Sequence, residues 1–216
     1  MLTDTALEQM VEQQVRAWDV LDERVLDTFR QVPRELFVPP EHRYLAYADV
    51  SVPLPHSQRM LRPNVAGRLL QALELTGTER ALEVGAGSGF LTACLAHGCA
   101  SVQSLEIFPE LAELARANLA ALGVRNAEVA ATDATQLDSS AKYDVIAITA
   151  SLPIYDDRFQ RLLNPGGRLF VVIGSPPVME ACLLRCADRG GWARESLFET
   201  VIDPLINARQ PHEFTF

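Results

Sequence analysis

Positive charge is scarce in this chain: 19 lysines and arginines stand against 28 aspartates and glutamates, a formal net charge of −9. A surface that tracks phosphates needs a net basic face, so neither nucleic acid nor an anionic membrane is expected as a partner. No stretch approaches the roughly 20 apolar residues of a membrane span. The N-terminal "MLTDTALEQMVEQQVRAW" has neither a positive n-region nor an apolar h-region, so a cytoplasmic location is expected. Cys94, Cys99, Cys182 and Cys186 lack paired CxxC spacing, and His42, His56, His97 and His212 are scattered. The thiols therefore read as small hydrophobes, and no metal site is expected. Repeats and low-complexity tracts are missing too.

What is present is a 216-residue chain with 48% hydrophobic and 22% charged residues, enough to bury a core without staples. Leu7, Met10, Val11 and Trp18 recur at helical spacing, and Val25, Leu26 and Phe29 repeat the pattern behind Asp22 as a candidate N-cap. Prolines then interrupt the periodicity, leaving residues 39–63 mostly irregular, and Pro63 suits the first turn of a helix running to about Leu75. From Arg80 the pattern alternates. The apolar runs "RALEV", "SVQSLEI", "AEVAA", "YDVIAIT" and "GRLFVVIG" read as strands, with helices beginning near Ser88, Pro109 and Asp156. That alternation predicts a parallel α/β sheet. Gly123 suits a helix C-cap. After Pro176-Pro177 the spacing predicts one more helix, and "ARESLFETVI" and "HEFTF" read as closing strands with an antiparallel edge. The organisation expected is one compact unit: residues 1–78 as a helical extension with a substrate loop, and residues 79–216 as the core.

The stretch "LEVGAGSGF", Leu82 to Phe90, runs from a strand through Gly85, Gly87 and Gly89 into a helix. It places bare backbone at the carboxyl end of a parallel sheet, where α/β folds bind ligands. The dinucleotide fingerprint wants its third glycine three residues after the second, and that position is Phe90. A pyrophosphate cradle is therefore not expected. Glu83, two residues before Gly85, suits a ligand carrying cationic groups instead. Glu106 ends the second strand at the distance from the first glycine where a carboxylate accepts ribose hydroxyls. Asp133 follows the third strand and is placed to accept from an adenine amino group. Isolated acids in such loops are often caps. The set of three nevertheless points to S-adenosylmethionine, which has a sulfonium, an ammonium and an adenosine but no phosphate.

Three stretches carry a resemblance. "EQMVEQQVRAWDVLDERVLDTFRQVPRELFVPPEHRYLAYADVSVPLP", "ALEVGAGSGF" and "YDVIAITAS" resemble protein-L-isoaspartate O-methyltransferases, from about residue 8 to 175, with "VPRELFVP" and "AYADVSVPLP" the most specific parts. The resemblance implies a Rossmann-like S-adenosylmethionine-dependent methyltransferase fold with an N-terminal helical extension. It also implies a protein or peptide substrate that accepts a methyl group on a carboxylate, the first step of protein repair. By the same resemblance Glu83, Gly85, Gly87, Ser88, Gly89, Glu106 with Ile107, Asp133 with Ala134, and Thr149 fall at the cofactor site.

The chain departs from the family in "HSQRMLRP", residues 56–63, where the family reads His or Gln followed by Gly-Gln-Thr-Ile-Ser-Gln-Pro. His56, Gln58 and Pro63 are kept, while Ser57, Arg59, Met60, Leu61 and Arg62 are replacements. The family's Thr and Ser hydroxyls line the methyl-transfer site, so Arg59 and Leu61 stand where they are expected. His56, Gln58, Arg59 and Leu61 are the candidate catalytic residues. Methylating a carboxylate with a pKa near 4 needs no general base; an amine, hydroxyl or thiol acceptor would give that role to His56. The altered loop predicts weak activity on ordinary isoaspartyl peptides. A different acceptor, or a non-catalytic S-adenosylmethionine-binding protein, remains open.

Overall fold

Helix formation at the N-terminus follows from an apolar stripe that has somewhere to go. In the computed structural model, which describes residues 2–137, 140–187 and 191–211, α1 (Leu2–Gln9) continues through a wide π-helical turn (Met10–Val15) and a tight turn ending at Trp18. Met10, Val11 and Val15 are fully buried. Asp22 caps α2 (Glu23–Gln31), its Oδ1 accepting from the Arg24 N–H at 2.9 Å. Val25, Leu26 and Phe29 pack inward with α3 (Pro63–Leu73) and α4 (Phe90–Gly98). Between α2 and α3 the chain makes short turns and a two-strand hairpin, β1 (Val52–Pro53) against β2 (Arg59–Met60).

Seven strands build the main sheet: β3 (Arg80–Val84), β4 (Ser101–Glu106), β5 (Ala127–Ala131), β6 (Tyr143–Leu152), β7 (Leu163–Ser175), β8 (Val178–Cys186) and β9 (Trp192–Glu199). Their spatial order is β5-β4-β3-β6-β7-β8-β9, parallel through β7 and antiparallel from β7 to β9. The chain steps outward from β3 in one direction and returns to β6 on its other side, so the order reverses between β3 and β6. At such a reversal the loops leaving the carboxyl ends part to form a crevice. The helix α5 (Pro109–Leu122) ends on Gly123, whose φ of 76° is the expected left-handed cap.

Two expected helices are absent. The segment after Asp156 forms only a short turn, Gln160–Leu162. β6 continues to Leu152 and β7 begins at Leu163, leaving less than the dozen or so residues that a helical crossover requires. The segment "VMEACLLRC" is β8 rather than a helix. Its apolar run is buried on both faces between β7 and β9, and a short run of that kind carries no periodicity that separates strand from helix. Of the expected closing strand "ARESLFETVI", residues 193–199 lie in the antiparallel edge strand β9 and residues 200–202 do not, whereas "HEFTF" lies outside the described residues. After β9 the chain crosses the carboxyl end of β6: the Ser151 N–H donates to the Asp203 carbonyl at 2.9 Å, and the Leu205 N–H to the Ser151 carbonyl at 2.8 Å. Among the described residues, no helix is long and apolar enough to cross a membrane.

Candidate active site

Steric exclusion shapes the floor of the crevice. Gly85 sits at φ 96°, and a Cβ there would lie 2.2 Å from the Thr149 Oγ1. That hydroxyl is at 2.9 Å from both the Val84 and Gly85 carbonyls. The N–H groups of Gly85 and Ala86 both donate to the Leu105 carbonyl, at 2.8 and 3.1 Å. The turn is thereby tied to β4 on one side and to β6 on the other. Gly89 does different work: a Cβ there would come within 3.1 Å of the Ala115 backbone, so its bareness lets α4 approach α5. It does not line the crevice.

Glu106, at the end of β4, is buried, and its two oxygens are each held by one backbone donor. Oε2 accepts from the Gly87 N–H at 2.8 Å and Oε1 from the Phe108 N–H at 3.1 Å. Each oxygen keeps lone-pair capacity toward the crevice, where Ile107 is its neighbour. Asp133 caps the turn Ala134–Gln136: Oδ1 accepts from the Thr135 N–H and hydroxyl, and Oδ2 from the Asn207 side-chain amide at 2.9 Å. Burial alone would raise its pKa, but the donors from Thr135 and Asn207 and the nearby Arg158 charge outweigh it and hold the carboxyl below its ordinary range.

Glu83 differs from what its sequence position suggests. It is fully buried, and Oε2 accepts from the Thr92 and Ser104 hydroxyls at 2.5 and 2.6 Å. Burial pushes its pKa up to about 8, against the opposing pull of those two donors and with a further push from Glu106. At neutral pH it is mostly a neutral acid, which corrects the expectation of a fixed negative charge beside the turn. It opens onto a small adjoining cavity shared with Gly85, Ser88 and Thr149. Its Oε1 and the buried Ser88 Oγ have no hydrogen-bond partner among the described residues.

The opposite wall comes from the 54–61 hairpin. Leu54 N–H donates to the Gln58 carbonyl at 2.8 Å, and His56 and Ser57 both adopt φ 58° to make the reversal. Gln58, Arg59 and Leu61 line the crevice. His56 does not join them; its ring stacks on Phe108 at 4.2 Å with the ring planes nearly parallel, and its Nε2 is 3.4 Å from Glu110. Arg59 is the one cation among the described lining residues, which include three carboxylates, Glu106, Asp133 and Asp203. The Leu61 carbonyl accepts from Arg34 Nη2 at 2.8 Å. Arg34 is wholly buried over the Phe90 ring, and burial lowers its pKa to about 10. Among the described residues, no cluster of three or more histidine, cysteine or acidic side chains forms a metal site.

Arg34 and residues 203–207 escape a reading of motifs. Arg34 lies inside "VPRELFVP", where the prolines mark a turn but nothing marks a buried cation. Residues 203–207 carry no glycine turn or strand pattern; only the return of the chain across β6 brings them to the crevice.

The profile of the Protein-L-isoaspartate(D-aspartate) O-methyltransferase family matches residues 5–195. A protein-L-isoaspartate O-methyltransferase of Aeropyrum pernix is 38% identical over 203 residues, covering 92% of this chain and 78% of its own length. One from an Anaeromyxobacter species is 41% identical over 178 residues, covering 82% and 83%. A Plasmodium falciparum protein-L-isoaspartate O-methyltransferase structure in complex with S-adenosyl-L-homocysteine shares the fold, with a TM-score of 0.78 at 21% identity over 94% of this chain and 97% of that one. With that profile spanning the helical extension and the sheet alike, the chain belongs to the protein-L-isoaspartate(D-aspartate) O-methyltransferase family.

Proposed function

We propose that this crevice holds S-adenosylmethionine and carries methyl transfer to a carboxylate of a protein or peptide, with the α-carboxylate of an L-isoaspartyl residue as acceptor. The observation that carries the reading is Glu106, pinned by two backbone N–H groups and left with free lone pairs at a strand end. A carboxylate held this way is prepared to accept two ribose hydroxyls. The chain's donors and walls fit the rest of the ligand. Gly85 and Gly87 leave bare backbone, Ser88 Oγ is an unpartnered buried hydroxyl, and Asp133 with Ala134 edges the crevice on the adenine side. When bound, the cofactor supplies an electrophilic methyl group on a sulfonium.

Residues 79–216 serve in this reading as the cofactor-holding core, and residues 1–78 bring the hairpin over it. The acceptor arrives ionised, so what this chain must provide is position and a counter-charge rather than proton transfer. Arg59 supplies the charge, and Gln58 and Leu61 bound the space beside it. The stacking of His56 on Phe108, away from the crevice lining, favours a carboxylate over acceptors that must lose a proton.

Calorimetry with S-adenosylhomocysteine, paired with methylation of an isoaspartyl peptide, tests the reading. Glu106→Ala should weaken binding by about 1.5–3 kcal/mol, the cost of leaving hydroxyls without a charged acceptor. Equal binding by wild type and variant would remove Glu106 from the role. Cofactor binding without turnover on any carboxylate would point to a non-catalytic protein.

A further inference from the structure

Asp203 faces the hairpin across the mouth of the crevice, its carboxylate 3.8 Å from Arg59 Nε. The residue is not free to wander. Its carbonyl accepts from the Ser151 N–H, the following Pro204 bridges to Ser151 in parallel register, and the Leu205 N–H returns to the Ser151 carbonyl. Asp203 is thus carried on a short piece of sheet at the end of β6, while Arg59 sits on the opposing hairpin. Both side chains are half-exposed, at 59% for Arg59 and 40% for Asp203.

We infer that Asp203 tunes how tightly the acceptor is held: it is the resident counter-ion of Arg59, displaced by an anionic acceptor and restored once the acceptor has lost its charge. This rests on the methyl-transfer reading above. A pair this long and this exposed is weak, and direct charge-assisted hydrogen bonds are shorter and stronger. An incoming carboxylate that bonds Arg59 directly therefore outcompetes Asp203, whereas an uncharged group does not. Arg59 is the one cation among the described lining residues, so the exchange decides whether an anion is held at all.

The reaction then reverses the contest. A carboxylate oxygen bonds to the methyl carbon as the methyl–sulfur bond breaks, and the bonding pair stays on sulfur. No proton moves. The acceptor goes from one negative charge to a neutral ester, and the sulfonium becomes a neutral thioether. An ester offers Arg59 only a neutral oxygen, and Asp203 reclaims the guanidinium. The pair thereby loosens the hold on the carboxylate by the cost of its own displacement, and leaves the ester without a charged partner.

Binding of an isoaspartyl peptide and of its α-methyl ester to the S-adenosylhomocysteine complex, measured by fluorescence anisotropy, reads this directly. Asp203→Asn should tighten the carboxylate peptide about two- to fivefold, the range of an exposed pair, leave the ester within error, and lower KM for the peptide without raising kcat. Asp203→Glu should behave as wild type. Arg59→Gln added to Asp203→Asn should cancel the gain. If Asp203→Asn leaves the acid-to-ester ratio unchanged, or weakens both peptides alike, the inference is overturned while the activity stands. A wild type that binds cofactor yet neither binds nor methylates the isoaspartyl peptide would instead overturn the activity reading, and this inference with it.

Discussion

The two sides of the crevice are built on opposite principles. On the floor, Gly85, Glu106 and Thr149 are locked by backbone hydrogen bonds and by contacts in which one added carbon does not fit. On the mouth, Arg59 and Asp203 meet through exposed side chains carried by segments far apart in the chain. A floor built from backbone tolerates little substitution but holds one ligand shape. A mouth built from flexible charges tolerates change and can alter its preference without disturbing the sheet. Of the replacements in "HSQRMLRP", Arg59 falls on the tolerant side, whereas Met60 is buried in the core and Leu61 packs against it.

The sharpest way to test the floor is to titrate it. Glu83 holds its proton in the folded protein up to about pH 8 and releases it near its ordinary value of 4.5 when unfolded. Between those two values rising pH favours the unfolded chain, so this group lowers wild-type stability progressively from about pH 4.5 to about pH 8, and adds no slope above. Glu83→Gln mimics the neutral acid and should remove that slope. By pH 8 the variant should exceed wild type by on the order of 3–5 kcal/mol, measured by urea denaturation across the range. Parallel pH profiles for the two proteins would mean that Glu83 is ionised in the folded state.

Next in size comes the glycine whose substitution the floor cannot accommodate. Gly85→Ala combines a left-handed φ with a 2.2 Å approach to Thr149 Oγ1, and should cost about 2–4 kcal/mol of stability while reducing cofactor affinity. Adding Thr149→Ser does not relieve it, because the clashing atom is the hydroxyl; Thr149→Ala should restore part of the stability. A stable Gly85→Ala variant with normal S-adenosylhomocysteine binding would show that the turn has room that its geometry denies.

The mouth should respond more mildly, and in kinetics rather than in folding. The composition of the hairpin by itself suggests that restoring hydroxyls, Arg59→Thr with Leu61→Ser, would raise isoaspartyl methylation. The charge distribution points the other way, since Arg59 is the one cation among the described lining residues, beside three carboxylates. The double variant should lower kcat/KM for an isoaspartyl peptide about fivefold, roughly 1 kcal/mol, with cofactor affinity nearly unchanged. An increase would return the role to hydroxyl donors.

What was legible along the chain was whatever local physics controls. The strands "RALEV" and "AEVAA" match β3 and β5 residue for residue, and Asp22 and Gly123 cap their helices as their side chain or its absence requires. "VMEACLLRC" was not legible, because a run buried on both faces looks alike as helix or strand until its neighbours are in place. Glu83 shows the same limit in chemistry. Its position beside the turn is evident in "LEVGAGSGF", but its protonation depends on Thr92, Ser104 and the depth of burial around it.

By itself, then, the sequence determined the glycine turn, the acids near successive strand ends, the parallel core and the motifs of the family, because turns, caps and apolar periods act over a few residues. Tertiary structure alone decided that Arg34 is a buried cation holding the hairpin at Leu61, that His56 stacks away from the crevice lining, and that Asp203 stands opposite Arg59. Each of those depends on segments separated by tens of residues or more being brought within a few ångströms. No local pattern encodes such a meeting; it follows from the order of strands in the sheet and from the path the chain takes back across β6.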